Sequence, residues 1–201
     1  MFTRAALPSW IALVGGALFP FALAPHFLWP LGLISLSALF YALQKSDTGK
    51  AAFKRAWLFG LGQFGLGVSW IYVSMHDHGG TPAWLAVPAV ALFAGFLALI
   101  PAFWFLLRQK FSGQSLAVFS FASYWLLQEW CRSWFLTGFP WLYAGDAHLF
   151  TWLAGWAPVS GAYVISFILA LTAASLVIVV QTRNWVYLMP LLLWPAGDAL
   201  K

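Results

Sequence analysis

The residues best equipped for chemistry are Glu129, Cys131 and Arg132, which stand close together, and the triplet His76-Asp77-His78. A cysteine nucleophile needs a thiolate and a base beside it. Neither Glu129 nor Arg132 is a proper base for a thiol, and no histidine adjoins them, so Cys131 reads as a packed, inert thiol. Glu129 and Arg132 are three positions apart and share one helix face. At membrane depth ionisable side chains are costly and mark functional candidates, and here each is the other's natural partner. Two readings stand: an interfacial pair that anchors a helix end, or an Arg132 that reaches a phospholipid headgroup or an acidic group of a docked domain. The His-x-His triplet supplies two or three metal ligands at most, with no second cluster in view. With Gly79, Gly80 and Pro82 behind it, it reads as a tight turn that starts a helix. No catalytic residue, metal site or cofactor is expected.

The elements that position these residues follow from composition. Hydrophobic residues make up 63% of the 201 and charged ones 7%, with fourteen Trp and nineteen Phe, against about 25% charged in ordinary globular chains. Lipid must be the solvent for most of such a surface. The apolar runs are too long for barrel strands of about 10 residues. The expected fold is therefore all-α, a polytopic integral membrane helix bundle of about seven transmembrane spans in one domain over 1–201. The spans fall near 8–24, 27–43, 57–75, 83–107, 116–135, 158–180 and 185–199. The first two form an apolar hairpin joined through Pro20, Pro25 and Pro30. A single cysteine excludes an internal disulfide framework and a four-thiolate zinc site.

The net charge of +5 (ten basic, five acidic) reports topology, and gives no support to nucleic-acid binding. Arg4, Lys45, Lys50, Lys54, Arg55, Arg108, Lys110 and Arg183, eight of the ten basic residues, fall on one side. The positive-inside rule makes that side the cytoplasm. The amino terminus is then cytoplasmic, the carboxyl end at Lys201 extracytoplasmic, and the loops near 20–30, 76–82 and 136–157 lie outside. Arg4, the apolar run and Ala22-Leu23-Ala24 mimic a signal peptide, but Pro25 at the first mature position argues for an uncleaved first span.

Nine of the fourteen Trp collect in the outer half. Anchoring in an aromatic belt accounts for part of that excess, and a surface that holds lipid or a lipidated partner is the other reading. The third span carries glycines at 60, 62, 65 and 67, which ease close approach of another helix or of an acyl chain. The connection from Leu136 to Pro158 is too apolar for a solvated loop and should lie on or in the outer leaflet. There Gly138 and Pro140 break the helix, and Phe139, Trp141 and Tyr143 face lipid or a bound acyl chain.

Several of these motifs occur together in one family. Phe64-Gly-Leu-Gly-Val-Ser-Trp70-Ile-Tyr72-Val-Ser74, then Gly79-Gly80-Thr-Pro82, then Glu129-x-x-Arg132-x-Trp134 leading into Thr137-Gly138-Phe139-Pro140-Trp141 closely resemble the membrane half of bacterial apolipoprotein N-acyltransferases. The resemblance implies a multi-pass protein of the bacterial inner membrane. Its activity would be transfer of an acyl chain from phospholipid, through a thioester, to the amino terminus of the lipidated cysteine of lipoproteins. The implied partners are a phospholipid acyl donor, the lipidated apolipoprotein, membrane lipid and a nitrilase-like extracytoplasmic domain. In the family that domain carries the catalytic Glu, Lys and Cys and follows the seventh span. It is expected after residue 201, so the sequence resembles the amino-terminal part of such an enzyme, as a fragment, a truncated product or one piece of a split protein. Cys131 does not match the catalytic cysteine, and this chain alone is expected to be inactive. The platform that remains assigns lipid or substrate contact to Trp70, Tyr72, Arg132, Phe139 and Trp141. Structural roles go to Gly65, Gly67, Gly79, Gly80, Glu129, Gly138 and Pro140. A small transporter would need polar groups near mid-membrane and broken helices around a central site, and little beyond Gln63 and Gln128 lies inside the spans. A membrane scaffold whose aromatic rim docks a partner is a third class.

Overall fold

A computed structural model describes residues 6–107 and 113–200, so Arg4, Arg108, Lys110 and Lys201 of the topology argument lie outside the described residues. Among the described residues the chain is helical throughout, without strands. Helix α1 (Leu7–Leu18) runs into a 3-10 turn (Phe19–Ala22), and α2 (Pro30–Gln44) returns, starting three residues later than expected with Pro30 at a position where a missing N–H costs nothing. Helix α3 (Gly49–Gly67) is capped by the Thr48 hydroxyl, which accepts from the Ala51 N–H at 3.2 Å. It is followed by α4 (Trp70–Val73), α5 (Ala83–Leu106), α6 (Gln114–Trp134) and α7 (Ala157–Thr182), then a 3-10 segment (Trp185–Leu192) and α8 (Leu193–Asp198).

Two helical stretches, Ala83–Leu106 and Trp152–Thr182, are long and apolar enough to cross a membrane, and a third qualifies if α3 and the bent segment Trp70–His78 count as one span. The expected single helix over 57–75 is thus broken, with a bend of 43°. Glycines at the end of α3 and the Ser69 hydroxyl, which donates back to the Leu66 carbonyl at 2.8 Å, loosen the ladder where it turns. The expected last helix over 185–199 is a 3-10 segment joined to a short α-helix, because Pro190 and Pro195 remove amide donors along it.

Glycines set the crossings. At Gly16 and Gly62 the backbones of α1 and α3 meet, and Gly60 lets α3 lie on Ala98 of α5, so a side chain at any of the three would collide with a neighbouring helix. Helix packing is therefore the role of two of the four glycines in the third span. Trp125 of α6 is wholly buried at the centre, with its ring 5.8 Å from Phe19 and 5.9 Å from Phe59.

Candidate functional site

The carboxyl ends of α3 and α6 and the amino ends of α5 and α7 converge on the segment after α6. Leu136, Thr137 and Gly138 all take positive φ, and the Phe139 amide returns to the Arg132 carbonyl at 2.7 Å. Gly138 (φ +89) is required here, since a Cβ would strike the Ser133 carbonyl. This reversal folds residues 139–145 back over the end of α6.

Buried polar side chains then grip that segment. Glu129 is 0% exposed and Arg132 1%. One carboxylate oxygen of Glu129 accepts from the Trp125 indole N–H at 3.0 Å and the Ala144 amide at 2.8 Å. Arg132 donates through Nη1 to the Trp141 carbonyl and through Nη2 to the Leu142 carbonyl at 3.3 Å. Its guanidinium lies 5.2 Å from the Phe64 ring centre and 5.0 Å from that of Tyr143. From α3, Gln63 Nε2 donates to the Leu142 carbonyl at 3.5 Å, and the Gly145 amide donates to Ser166 Oγ of α7 at 2.8 Å. Leu142 holds a left-handed backbone (φ +62) that makes its carbonyl available to both donors. The sequence analysis paired Glu129 with Arg132. In the structure they attract through space, but their hydrogen bonds go to the loop, each holding a different part of it.

The grip displays aromatic rings. Trp141 is 52% exposed, its ring 5.2 Å from Phe139, which in turn meets Phe93 of α5 edge-on at 5.4 Å. Trp70 is 50% exposed beside a cleft of about 350 Å³, into which Gly67 and Leu142 also face. Tyr72 stands apart from that cleft and stacks on His76 at 5.2 Å. Leu142 packs against Gly67, whereas Gly65 has nothing within 4 Å of where a side chain would begin. Gly79 and Gly80 (φ +66) form the turn before α5, closed by the Thr81 amide on the Met75 carbonyl at 2.9 Å. His76 and His78 bond backbone within it, to the Thr81 carbonyl at 2.8 Å and the Val73 carbonyl at 3.3 Å. Pro140, between Phe139 and Trp141, is exposed.

Farther along the same connection, His148 is wholly buried. It meets Thr151 Oγ1 through Nδ1 at 3.1 Å and lies between Trp29 (5.8 Å) and Trp194 (5.2 Å), while its Nε2 has no hydrogen-bond partner among the described residues. Burial pushes its pKa down to about 4. Burial, with Tyr163 alongside, raises the Tyr143 phenol, and burial also raises Asp146 above the usual carboxylate range. Sequence reasoning missed Leu142, His148 and Ser166. A histidine inside so apolar a connection was a visible signal; Ser166 in α7 gave none.

Comparison with known proteins settles the relationship. The family model described as "Apolipoprotein N-acyltransferase N-terminal domain" matches residues 15–175. The chain belongs to the apolipoprotein N-acyltransferase family. A relative so named from Pseudomonas syringae pv. tomato is 44% identical over 211 residues, covering 96% of this chain and 41% of its own length. One from Pseudomonas aeruginosa (strain UCBPP-PA14) is 44% identical over 178 residues, covering 85% and 35%. One from Vibrio cholerae is 36% identical over 190 residues, covering 92% and 37%. The chain thus spans some two fifths, or less, of the length of these N-acyltransferases.

Within this N-acyltransferase domain Cys131 is half-buried and lines an apolar groove of about 240 Å³ with Ile100, Phe103, Trp104, Leu107 and Phe135. Nothing in that lining can act as a base, so the thiol should stay unacylated. Purified chain incubated with radiolabelled phospholipid should carry no hydroxylamine-sensitive label; a label lost in Cys131→Ser would make Cys131 a nucleophile.

Proposed function

We propose that this chain is the membrane part of an apolipoprotein N-acyltransferase, which moves an acyl chain from phospholipid to the amino terminus of the lipidated cysteine of bacterial lipoproteins. In this reading it spans the inner membrane seven times, with the amino terminus cytoplasmic and the carboxyl end outside. It anchors a nitrilase-like catalytic domain that supplies the Glu, Lys and Cys of the reaction, and its own contribution is the lipid and substrate entrance. Phospholipid and lipidated apolipoprotein approach over Trp70, Tyr72, Phe139 and Trp141. Arg132 serves this surface as a positioning residue: with its donors on the Trp141 and Leu142 carbonyls, it fixes the rings rather than meeting a headgroup itself.

The observation that carries this reading is the half-exposed Trp141 on a backbone clamped by buried charge. An anchor in a lipid belt needs no such clamp, since any amphipathic ring at the right depth serves; a ring that must meet an acyl chain in one orientation does. Trp141→Ala in the full-length enzyme is expected to lower kcat/KM by roughly 10- to 150-fold, the equivalent of an aromatic contact of about 1.5 to 3 kcal/mol, with abundance and membrane insertion near normal. Normal transfer by a well-inserted variant would reduce the loop to an anchor.

A further inference from the structure

The cleft at the outer end of α3 differs in chemistry from the neighbouring grooves. Its apolar walls are Phe21 and Pro25 of the first hairpin, Leu66 of α3 and Leu142 of the clamped segment, and its polar lining is His26, Ser69 and Trp70. The groove over Cys131, by contrast, is apolar on every side. The Trp70 indole N–H has no partner among the described residues. His26 packs on Phe21 with ring centres 5.2 Å apart, and Ser69 keeps its oxygen lone pairs while donating to Leu66. Among the described residues no Lys or Arg lines the cleft.

This donor set selects its ligand. A free phosphate carries charge that calls for cationic donors or a charge-assisted fork, and neither is present. An ester carbonyl is an uncharged acceptor that one indole N–H can satisfy, and the hydrocarbon attached to it matches Phe21, Leu66 and Leu142. The floor is fixed from behind, because the Leu142 carbonyl is held by both Arg132 and Gln63.

We propose that the cleft between the first hairpin and the α3–α4 bend binds the glyceryl ester end of a diacyl lipid, with Trp70 and His26 donating to the ester carbonyls and the acyl chains leaving over Phe21 and Leu66. Phospholipids and diacylglyceryl peptides share that ester end. The inference rests on the reading of this domain as a lipid entrance and names the chemical group that the entrance grips.

Native mass spectrometry of the purified chain tests it. The ligands are dioleoyl phosphatidylglycerol, its diether analogue, a synthetic diacylglyceryl-cysteine peptide and inorganic phosphate. The diester lipid should bind wild-type protein more tightly than the diether, by roughly 2- to 10-fold for each hydrogen bond lost. Trp70→Phe, which keeps a ring and deletes the N–H, should weaken the diester by a similar factor and leave the diether unchanged. His26→Phe is read the same way and provides a second variant should the first fold poorly. Sensitivity of only the phosphatidylglycerol, or only the peptide, to Trp70→Phe would support the cleft and identify which source fills it; displacement of one by the other would support a shared site. Equal affinity for diester and diether, or displacement by millimolar phosphate, would overturn the proposal. Trp141→Ala transfer is a separate readout: ester-selective binding with normal Trp141→Ala transfer leaves the cleft and removes the entrance, and the converse removes the cleft alone.

Discussion

Arg132→Met is expected to cost about 3 to 5 kcal/mol of stability, the scale for removing one member of a buried charge set. The Trp141 carbonyl loses its Arg132 donor, the Leu142 carbonyl keeps only Gln63, and the Glu129 carboxylate loses the nearest cation. Replacement by an apolar chain of similar length isolates that loss from a cavity effect. Arg132→Lys should rescue little, because an ammonium is a point charge and cannot fork across two carbonyls. The double variant Glu129→Gln with Arg132→Met should be less damaged than the sum of the single changes, since the amide no longer leaves a charge uncompensated. Thermal unfolding in detergent, with limited proteolysis across 136–145, measures wild type, Glu129→Gln, both Arg132 variants and the double variant. An unchanged midpoint and an uncut loop in Arg132→Met would mean that the segment is held by its apolar contacts alone.

The second large effect is a pH dependence centred on His148. Its folded-state pKa of about 4 lies below the ordinary 6.5, so the unfolded or opened state binds the proton more readily. Stability contributed by the neutral ring is complete above about pH 6.5 and declines as pH falls towards 4, by roughly 3 kcal/mol in all. Asp146, raised by burial, acts in the opposite sense. The structural event is release of the Trp29–His148–Trp194 stack, which joins the first hairpin, the α6–α7 connection and α8. His148→Gln keeps a polar contact for Thr151 but does not titrate. Unfolding midpoints between pH 7.5 and 4.5 should therefore fall steeply in wild type and much less in the variant; parallel curves would place the titration elsewhere.

Much of this arrangement was legible before the structure. Helix α5 and helix α6 lie where the apolar runs put them, because nothing inside either run competes with the helix except prolines that α5 absorbs. The Glu129 and Arg132 spacing put both on one helix face, but the expected interfacial anchor or headgroup contact did not foresee that both are buried. Their partners were not legible: backbone carbonyls carry no sequence signature, and Leu142 became an acceptor only through a left-handed conformation that a leucine does not advertise. The break between α3 and α4 was hidden for a related reason. Gly65 and Gly67 signal close approach of a helix or an acyl chain; in the structure Gly67 meets Leu142 while Gly65 meets nothing among the described residues, and that division depends on tertiary neighbours. His148 was visible as an oddity, but only the two tryptophans brought to it from residues 29 and 194 give it a role.

The interruption of α7 at Ser160 and Gly161, where φ turns to −157 and +61, bears on the bilayer itself. Below it an uninterrupted rod of about 20 residues runs to Thr182, roughly 30 Å at 1.5 Å per residue, the hydrocarbon thickness of an ordinary membrane. Above it stands the short 3-10 segment bearing Trp152 and Trp156. The rod therefore works as a depth gauge. A thicker host membrane must thin locally, or the aromatic turns must sink, at a cost of fractions of a kcal/mol per ångström. Acyl-chain length in the surrounding lipid is thus expected to set the height of Trp141 and the clamped segment relative to the bilayer surface.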